Sequence, residues 1–290
     1  MILPIPSGEY SLTTKTAGFI SAILVPTELR SVKSAGKEIK FIHTFHGHLL
    51  DDPEFSGLKK TAIIAIERAL AKKSDQLITV GQKVADELLA NEIGNPNQFT
   101  NIPPGVNALL TKPKDEARQN YGLTHTPVIG WLARVTGVKN PLLASDIAKE
   151  IPNSQFIFGG DGDLMDQLKK CAPLNAKVFG WVDAATFLSA CDLILSTSEN
   201  EGMPVALIEA QLAGIPVVAT NVGSSAEVIA HNQTGLITTK SKADIIAALQ
   251  TLLNSPETLK NMGISATTHA RANFSPDAMI RKHIDLYNSL

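Results

Sequence analysis

Only two cysteines, Cys171 and Cys191, occur in the 290 residues. That excludes a disulfide-stapled scaffold, and because both lie in or beside αβ patterning they read as buried thiols. A basic excess is missing too. Lys and Arg total 26 against 28 Asp and Glu, a net charge of −2, so the electrostatic footprint of a nucleic-acid-binding domain is absent. The longest early apolar stretch, "AGFISAILVP", is too short to span a bilayer. The amino terminus carries Pro4, Pro6 and Glu9 in place of a basic start and an apolar core, so no secretory leader is expected. A cytoplasmic chain is therefore expected, and the sequons Asn232-Gln233-Thr234 and Asn273-Phe274-Ser275 carry no meaning. The remaining composition is that of a globular chain, 44% hydrophobic and 19% charged, long enough to bury two domain cores.

Strand and helix patterns alternate along the whole chain. Strands are expected at Phe41–Phe45, Gln76–Val80, Phe99–Ile102, Val128–Trp131, Gln155–Phe158, Lys177–Phe179, Leu193–Ser196, Val217–Thr220 and Leu236–Thr238. Helices fall between them, among them Leu58–Lys73, Lys83–Asn91, Pro141–Glu150 and Ala184–Ala190. This order argues an α/β fold with parallel sheets and right-handed crossovers. The proline-rich stretch "NIPPGVNALLTKPKDEAR" places a hinge near Pro104–Pro113, dividing residues 1–107 from 108–290.

The densest chemistry lies in "SENEGMPVALIEAQLAGIPVVATNVGSSAEVI". Glu201 and Gly202 read as loop. Pro204 suits a first helical turn, where its missing N–H costs nothing. "VALIEAQLA" is apolar on nearly every face, and Gly214 can cap its end. Glu209 thus sits inside a buried helix with Glu201 at its mouth. A buried carboxylate is costly unless hydrogen-bonded. Vicinal ligand hydroxyls can satisfy it, and so can an internal Arg. Upstream, "VIGWLARVTGVKN" sets Arg134 and Lys139 in a turn after a strand, and "QFIFGGDGD" runs a strand into Gly160-Asp161-Gly162. Arg can clamp phosphate oxygens bidentately and Lys can act as a point charge. Glycines at strand ends let a backbone approach a phosphate closely. All these features fall at carboxyl ends of strands, the ligand edge of an open α/β sheet.

These blocks resemble the C-terminal domain of family-4-type retaining glycosyltransferases, which have the GT-B fold of two Rossmann-like lobes. The resemblance runs from about Phe41 to the C-terminus. It implies that Arg134 and Lys139 hold a donor diphosphate, that Glu201 touches the donor sugar, and that Glu209 touches the nucleotide ribose. It also implies a Gly160-Asp161-Gly162 turn at the donor, with Gly202, Met203, Pro204 and Val205 offering backbone amides to sugar and phosphates. The implied co-substrate is a nucleotide-diphosphate sugar, a UDP-sugar ahead of a GDP-sugar, with no further cofactor. An Asp-x-Asp such as Asp161–Asp163 holds a metal in another glycosyltransferase fold. Here Arg134 and Lys139 supply the positive charge, so no metal is expected.

In the N-terminal part, "KFIHTFHGHLL" reads as a strand ending among His43, His46 and His48. The resemblance gives His46 the role of facing the donor sugar across a cleft. Three histidines so close could bind a metal, but no Cys or carboxylate joins them. On a strand His46 and His48 would share a face, with His43 opposite. The family precedes this strand with further αβ units. Here the first 40 residues leave room for about one helix, and "TTKTAGFISAILVPTELRSVKSAG" resembles the helical crossover before the strand. An incomplete N-terminal, acceptor-side lobe is therefore expected, with the C-terminal lobe binding the donor and the final helix returning to the first lobe.

The implied function is sugar transfer, with retention, to a glycan or lipid-linked acceptor in surface polysaccharide or glycolipid synthesis. The alternatives are a non-catalytic or truncated nucleotide-sugar-binding remnant and a GT-B-type sugar-nucleotide epimerase. Leu58–Lys73, with Lys59, Lys60, Arg68, Lys72 and Lys73, is a core helix with a solvated basic edge in preference to a membrane-lying helix. A lipid-linked acceptor would favour peripheral contact at the inner membrane face.

Overall fold

The computed structural model describes residues 20–22, 40–47, 57–124 and 127–290. The chain divides into two compact units, one comprising the described residues up to Ile102 together with Leu286–Leu290, the other Pro103–Asp285.

The first unit holds a four-stranded sheet of β1 (Ile20–Ala22), β2 (Ile42–Phe45), β3 (Gln76–Thr79) and β4 (Phe99–Asn101), in that spatial order. Helix α1 (Leu58–Ala71) joins β2 to β3, and α2 (Gln82–Ala90) joins β3 to β4. The β2, β3 and β4 strands pair in parallel. Leu77, Ile78, Val84 and Leu88 make its core.

Strand β1 corrects the sequence reading. It lies inside the segment assigned to a helical crossover, yet it pairs antiparallel with β2 through Ile20–Phe45 and Ala22–His43. Short apolar runs do not distinguish a buried helix from a strand by periodicity. Here pairing satisfies the free edge of β2. The rest of that segment lies outside the described residues, as does His48. A second correction concerns the histidines. Strand β2 ends at Phe45, so His46 sits in a bend beyond it and shares no strand face with its neighbours. His43 and Phe45 are the buried pair.

The second unit is a six-stranded, wholly parallel sheet. Its strands are β5 (Val128–Leu132), β6 (Gln155–Gly159), β7 (Ala176–Val178), β8 (Leu193–Ser196), β9 (Val217–Thr220) and β10 (Gly235–Thr238). The helices are α3 (Lys114–Asn120), α4 (Pro141–Lys149), α5 (Met165–Cys171), α6 (Ala184–Ala190), α7 (Val205–Leu212), α8 (Ser225–Val228), α9 (Lys242–Leu253), α10 (Pro256–Asn273) and α11 (Pro276–Asn288), whose last turn falls in the first unit. The spatial order is β10-β9-β8-β5-β6-β7. Counted from β5 this is the doubly wound order, with its switch point between β5 and β8.

One face of the sheet buries Ile129, Trp131, Phe156 and Phe158 under α4, α5 and α9. This continuous apolar packing fixes the strands whose carboxyl ends carry the polar loops. Both cysteines are free thiols, Cys191 buried and Cys171 partly so.

Candidate functional site

The loop after β5 opens with Arg134, which is exposed. It then closes a 3-10 turn at Gly137–Lys139 and ends in Asn140, whose φ is 50°. Asn tolerates this left-handed geometry better than most residues. Its side chain accepts from the Leu143 N–H at 3.2 Å and so caps α4, while Pro141 fills the first helical position.

The loop after β8 is stitched to this one. The Thr197 hydroxyl donates to the carbonyls of Lys139 (3.0 Å) and Asn140 (2.8 Å) and accepts from the Trp131 indole N–H at 3.1 Å. The Glu199 N–H donates to the Val138 carbonyl at 2.8 Å. Asn140 Nδ2 donates to Glu199 Oε1 at 2.9 Å.

Across this seam Lys139 Nζ lies 2.6 Å from Glu201 Oε1, and the Ser198 hydroxyl donates to the same oxygen at 2.7 Å. The two side chains are only 17% and 10% exposed, so their attraction is weakly screened. Among the described residues Glu201 Oε2 has no partner, leaving one carboxylate oxygen to accept from a ligand. Glu199 differs. Burial alone would raise its pKa, but hydrogen bonds from Lys240 and Asn140 hold it below the ordinary glutamate value. Lys240 Nζ reaches Glu199 Oε2 at 2.9 Å in a more exposed setting.

A third loop follows β6. Gly160 adopts φ 127°, and a Cβ there would lie 1.9 Å from the Ala133 carbonyl oxygen. The Val135 N–H donates to the Asp161 carbonyl at 2.9 Å, and the Leu164 N–H to the Val135 carbonyl at 3.0 Å. Asp161 Oδ1 accepts from the Gly162 N–H at 2.8 Å, so that oxygen closes its own turn. Beneath Glu201 lies Gly223 (φ 47°), where a Cβ would fall 1.7 Å from the Glu201 carbonyl oxygen. The Ser224 N–H then donates to Gly202 at 3.0 Å.

Met203 and Pro204 are buried, and α7 begins at Val205, so Pro204 is the N-cap and not a residue of the first turn. The cause is its ψ of 97°, which is extended. Glu209, in the second turn of α7, is half-buried. Burial raises its pKa, and among the described residues no Arg, Lys or hydrogen-bond donor reaches its carboxylate. The internal arginine partner that the sequence left open is not there.

Lys139 and Glu201 are therefore in direct contact, and Arg134, Gly160–Gly162 and Gly202 lie on loops bonded to one another. His46 belongs to the first unit and takes no part in these bonds. Sequence reasoning missed Thr197, Ser198, Asn140 and Gly223. Asn140 was findable, because an Asn before Pro at a helix start is a capping signature.

The loops at the switch point of this doubly wound sheet thus bring together a lysine, a half-satisfied glutamate and glycine turns. The chain belongs to the glycosyl transferases group 1 family, whose model matches residues 113–269, more than half of the chain. It is similar to the Escherichia coli UDP-Gal:alpha-D-GlcNAc-diphosphoundecaprenol alpha-1,3-galactosyltransferase, with 29% identity over 63% of this chain and 52% of that protein. It is also similar to the D-inositol 3-phosphate glycosyltransferase of Gordonia bronchialis, at 27% identity over 77% of this chain and 54% of that one. The chain thus spans about half the length of these curated relatives. Among solved structures, Anabaena HepE in complex with UDP and glucose superposes with a TM-score of 0.78 at 21% identity, covering 87% of this chain and 72% of that one. The fold is GT-B, with a small N-terminal lobe.

Proposed function

We propose that this chain is a family-4-type glycosyltransferase that moves a sugar from a nucleotide-diphosphate donor to a glycan or lipid-linked acceptor with retention of configuration. The observation that carries the reading is the Lys139–Glu201 contact at the switch point, beside an unpartnered Glu209. The complexes of HepE with UDP-glucose support a UDP-sugar donor, and the lipid-linked substrate in the name of the E. coli relative supports the acceptor class.

In this reading Glu209 accepts from the two ribose hydroxyls and Glu201 from a sugar hydroxyl. Arg134 and Lys139 stabilise the charge that builds on the departing diphosphate, and backbone amides of Gly202–Val205 and the Gly160–Gly162 turn approach the phosphates. The bond from the anomeric carbon to the diphosphate oxygen breaks. The acceptor oxygen bonds to that carbon on the same face, and its proton passes to the leaving diphosphate. His46 keeps the sugar-orienting role given by resemblance. No metal or further cofactor enters this scheme.

No helix among the described residues is long and apolar enough to cross a membrane. Peripheral contact at the inner face of a membrane is supported by α1, where Leu58 (89% exposed) and Ile66 (58%) accompany Lys59, Lys72 and Lys73. The test is UDP release from UDP-sugars with and without a polyprenyl-diphosphate sugar acceptor. Acceptor-dependent release supports transfer, acceptor-free conversion of the sugar identifies an epimerase, and binding without turnover identifies a remnant.

A further inference from the structure

We infer that Thr197 is a positioning residue for Lys139, an inference that rests on the donor-site reading above. Thr197 follows β8 and is 1% exposed, so its hydroxyl must find partners inside the protein. A hydroxyl carries one proton and two lone pairs. The proton is shared between the Lys139 and Asn140 carbonyls, at 3.0 and 2.8 Å. A lone pair accepts from the Trp131 indole N–H at 3.1 Å. All three partners belong to β5 and the loop that follows it.

These bonds run from the core to the site. Trp131 is 2% exposed and packs in the apolar layer with Phe156 and Phe158, where close packing makes it a rigid anchor. From Trp131 the bonds pass through one hydroxyl to the backbone that carries Lys139. That backbone needs holding, because Asn140 sits at φ 50°, a conformation that persists only where its surroundings impose it. The Glu199 N–H donates to the Val138 carbonyl at 2.8 Å. The carbonyls of Val138, Lys139 and Asn140 are thus all held by the segment Thr197–Glu199. The Thr197 methyl restricts χ1, which keeps the hydroxyl aimed at its two acceptors.

The next residue holds the other half of the ion pair. Ser198 donates to Glu201 Oε1 at 2.7 Å, and the Ser198 carbonyl accepts from the Thr220 hydroxyl of β9 at 2.7 Å. Thr197 therefore sets where the Lys139 ammonium stands, and Ser198 where the Glu201 carboxylate stands. Being buried, Thr197 acts on a ligand only through Lys139.

A double-mutant cycle isolates that dependence. Wild type, Thr197→Val, Lys139→Ala and the joint variant are titrated calorimetrically with UDP, GDP and ADP, and the melting of each is followed. Thr197→Val keeps the shape of the side chain and removes the hydroxyl. For the nucleotide that binds wild type, Lys139→Ala should weaken affinity by about tenfold and Thr197→Val by about fivefold. The joint variant should bind no more weakly than Lys139→Ala alone. Thr197→Ser, which keeps the hydroxyl, should bind within about twofold of wild type. Losses that multiply in the joint variant, or full affinity in Thr197→Val, overturn the inference, because the hydroxyl then serves the fold and not Lys139. If Thr197→Val does not fold, Thr197→Cys, whose thiol is a weak donor, takes its place under the same expectations. A Lys139→Ala variant that binds like wild type removes the clamp role and this inference with it. A wild type that binds none of the three nucleotides removes the donor reading as well.

Discussion

In the second unit each carboxylate of the β8 loop has a cation within reach, Lys139 for Glu201 and Lys240 for Glu199, and hydroxyls and amides fill the gaps between. In the first unit His43 and Glu67 are 2% and 5% exposed, with Nε2 and Oε2 4.0 Å apart. Among the described residues neither atom has a hydrogen-bond partner. Burial lowers the pKa of His43 and raises that of Glu67, so both favour the neutral form. A buried polar group without a partner costs stability. One unit thus keeps its loop carboxylates paired with cations, while in the other burial favours the neutral forms of an unbonded histidine and glutamate.

The largest expected effect comes from removing the cation of the first arrangement. Lys139→Ala should lower turnover by about a hundredfold or more while the circular dichroism of the folded chain is kept. Near-normal turnover would remove the phosphate-clamp role.

Glycines separate geometry from charge. Gly223→Ala must adopt a left-handed φ, worth about 1–3 kcal/mol of strain, and must also push Glu201 aside. Gly137, whose Cβ would meet nothing within 4 Å, should accept Ala with little change in melting. Equal melting of the two variants would mean that the Glu201 loop is soft.

For the first unit, Glu67→Ala should cost about 2 kcal/mol through the buried volume it empties, since His43 Nε2 already has no partner among the described residues. The joint replacement His43→Phe with Glu67→Leu should be neutral or stabilising, because apolar packing often replaces a buried polar pair without loss. Denaturant melts distinguish these outcomes, and a joint variant as unstable as the single one would show that the pair is bonded.

The smallest effect is in pH. Because burial raises the Glu209 pKa, the ionised form, which in the proposed function accepts ribose hydroxyls, is present above that raised value and lost as pH falls through it. Nucleotide affinity should therefore start to decline at a higher pH than an ordinary glutamate would give, and Glu209→Gln should flatten the acid limb in a calorimetric pH series. An unaltered limb would assign it to another group.

The alternating strands of the second unit were legible because parallel strands buried on both faces are short apolar runs. Leu193–Ser196 and Val217–Thr220 match to the residue. Arg134, Lys139, Glu201 and Glu209 stood out because charges at strand ends and in an apolar helix break the local pattern. Strand β1 was illegible, since three apolar or small residues have no period. The Thr197 and Asn140 bonds were hidden as well, because they join loops about 60 positions apart. Glu67 looked like one charge among the basic residues of α1, and only its place against β2 makes it buried.

The most direct measurement is thermal stabilisation of wild type and Glu209→Ala by UDP, GDP, ADP and their sugar conjugates. A ligand at a hundred times its dissociation constant should add about 2.7 kcal/mol. A shift with one nucleotide, UDP foremost, that vanishes in Glu209→Ala is the predicted result. No shift with any of them, or a shift that Glu209→Ala leaves intact, would contradict a donor site at the β5–β8 crevice.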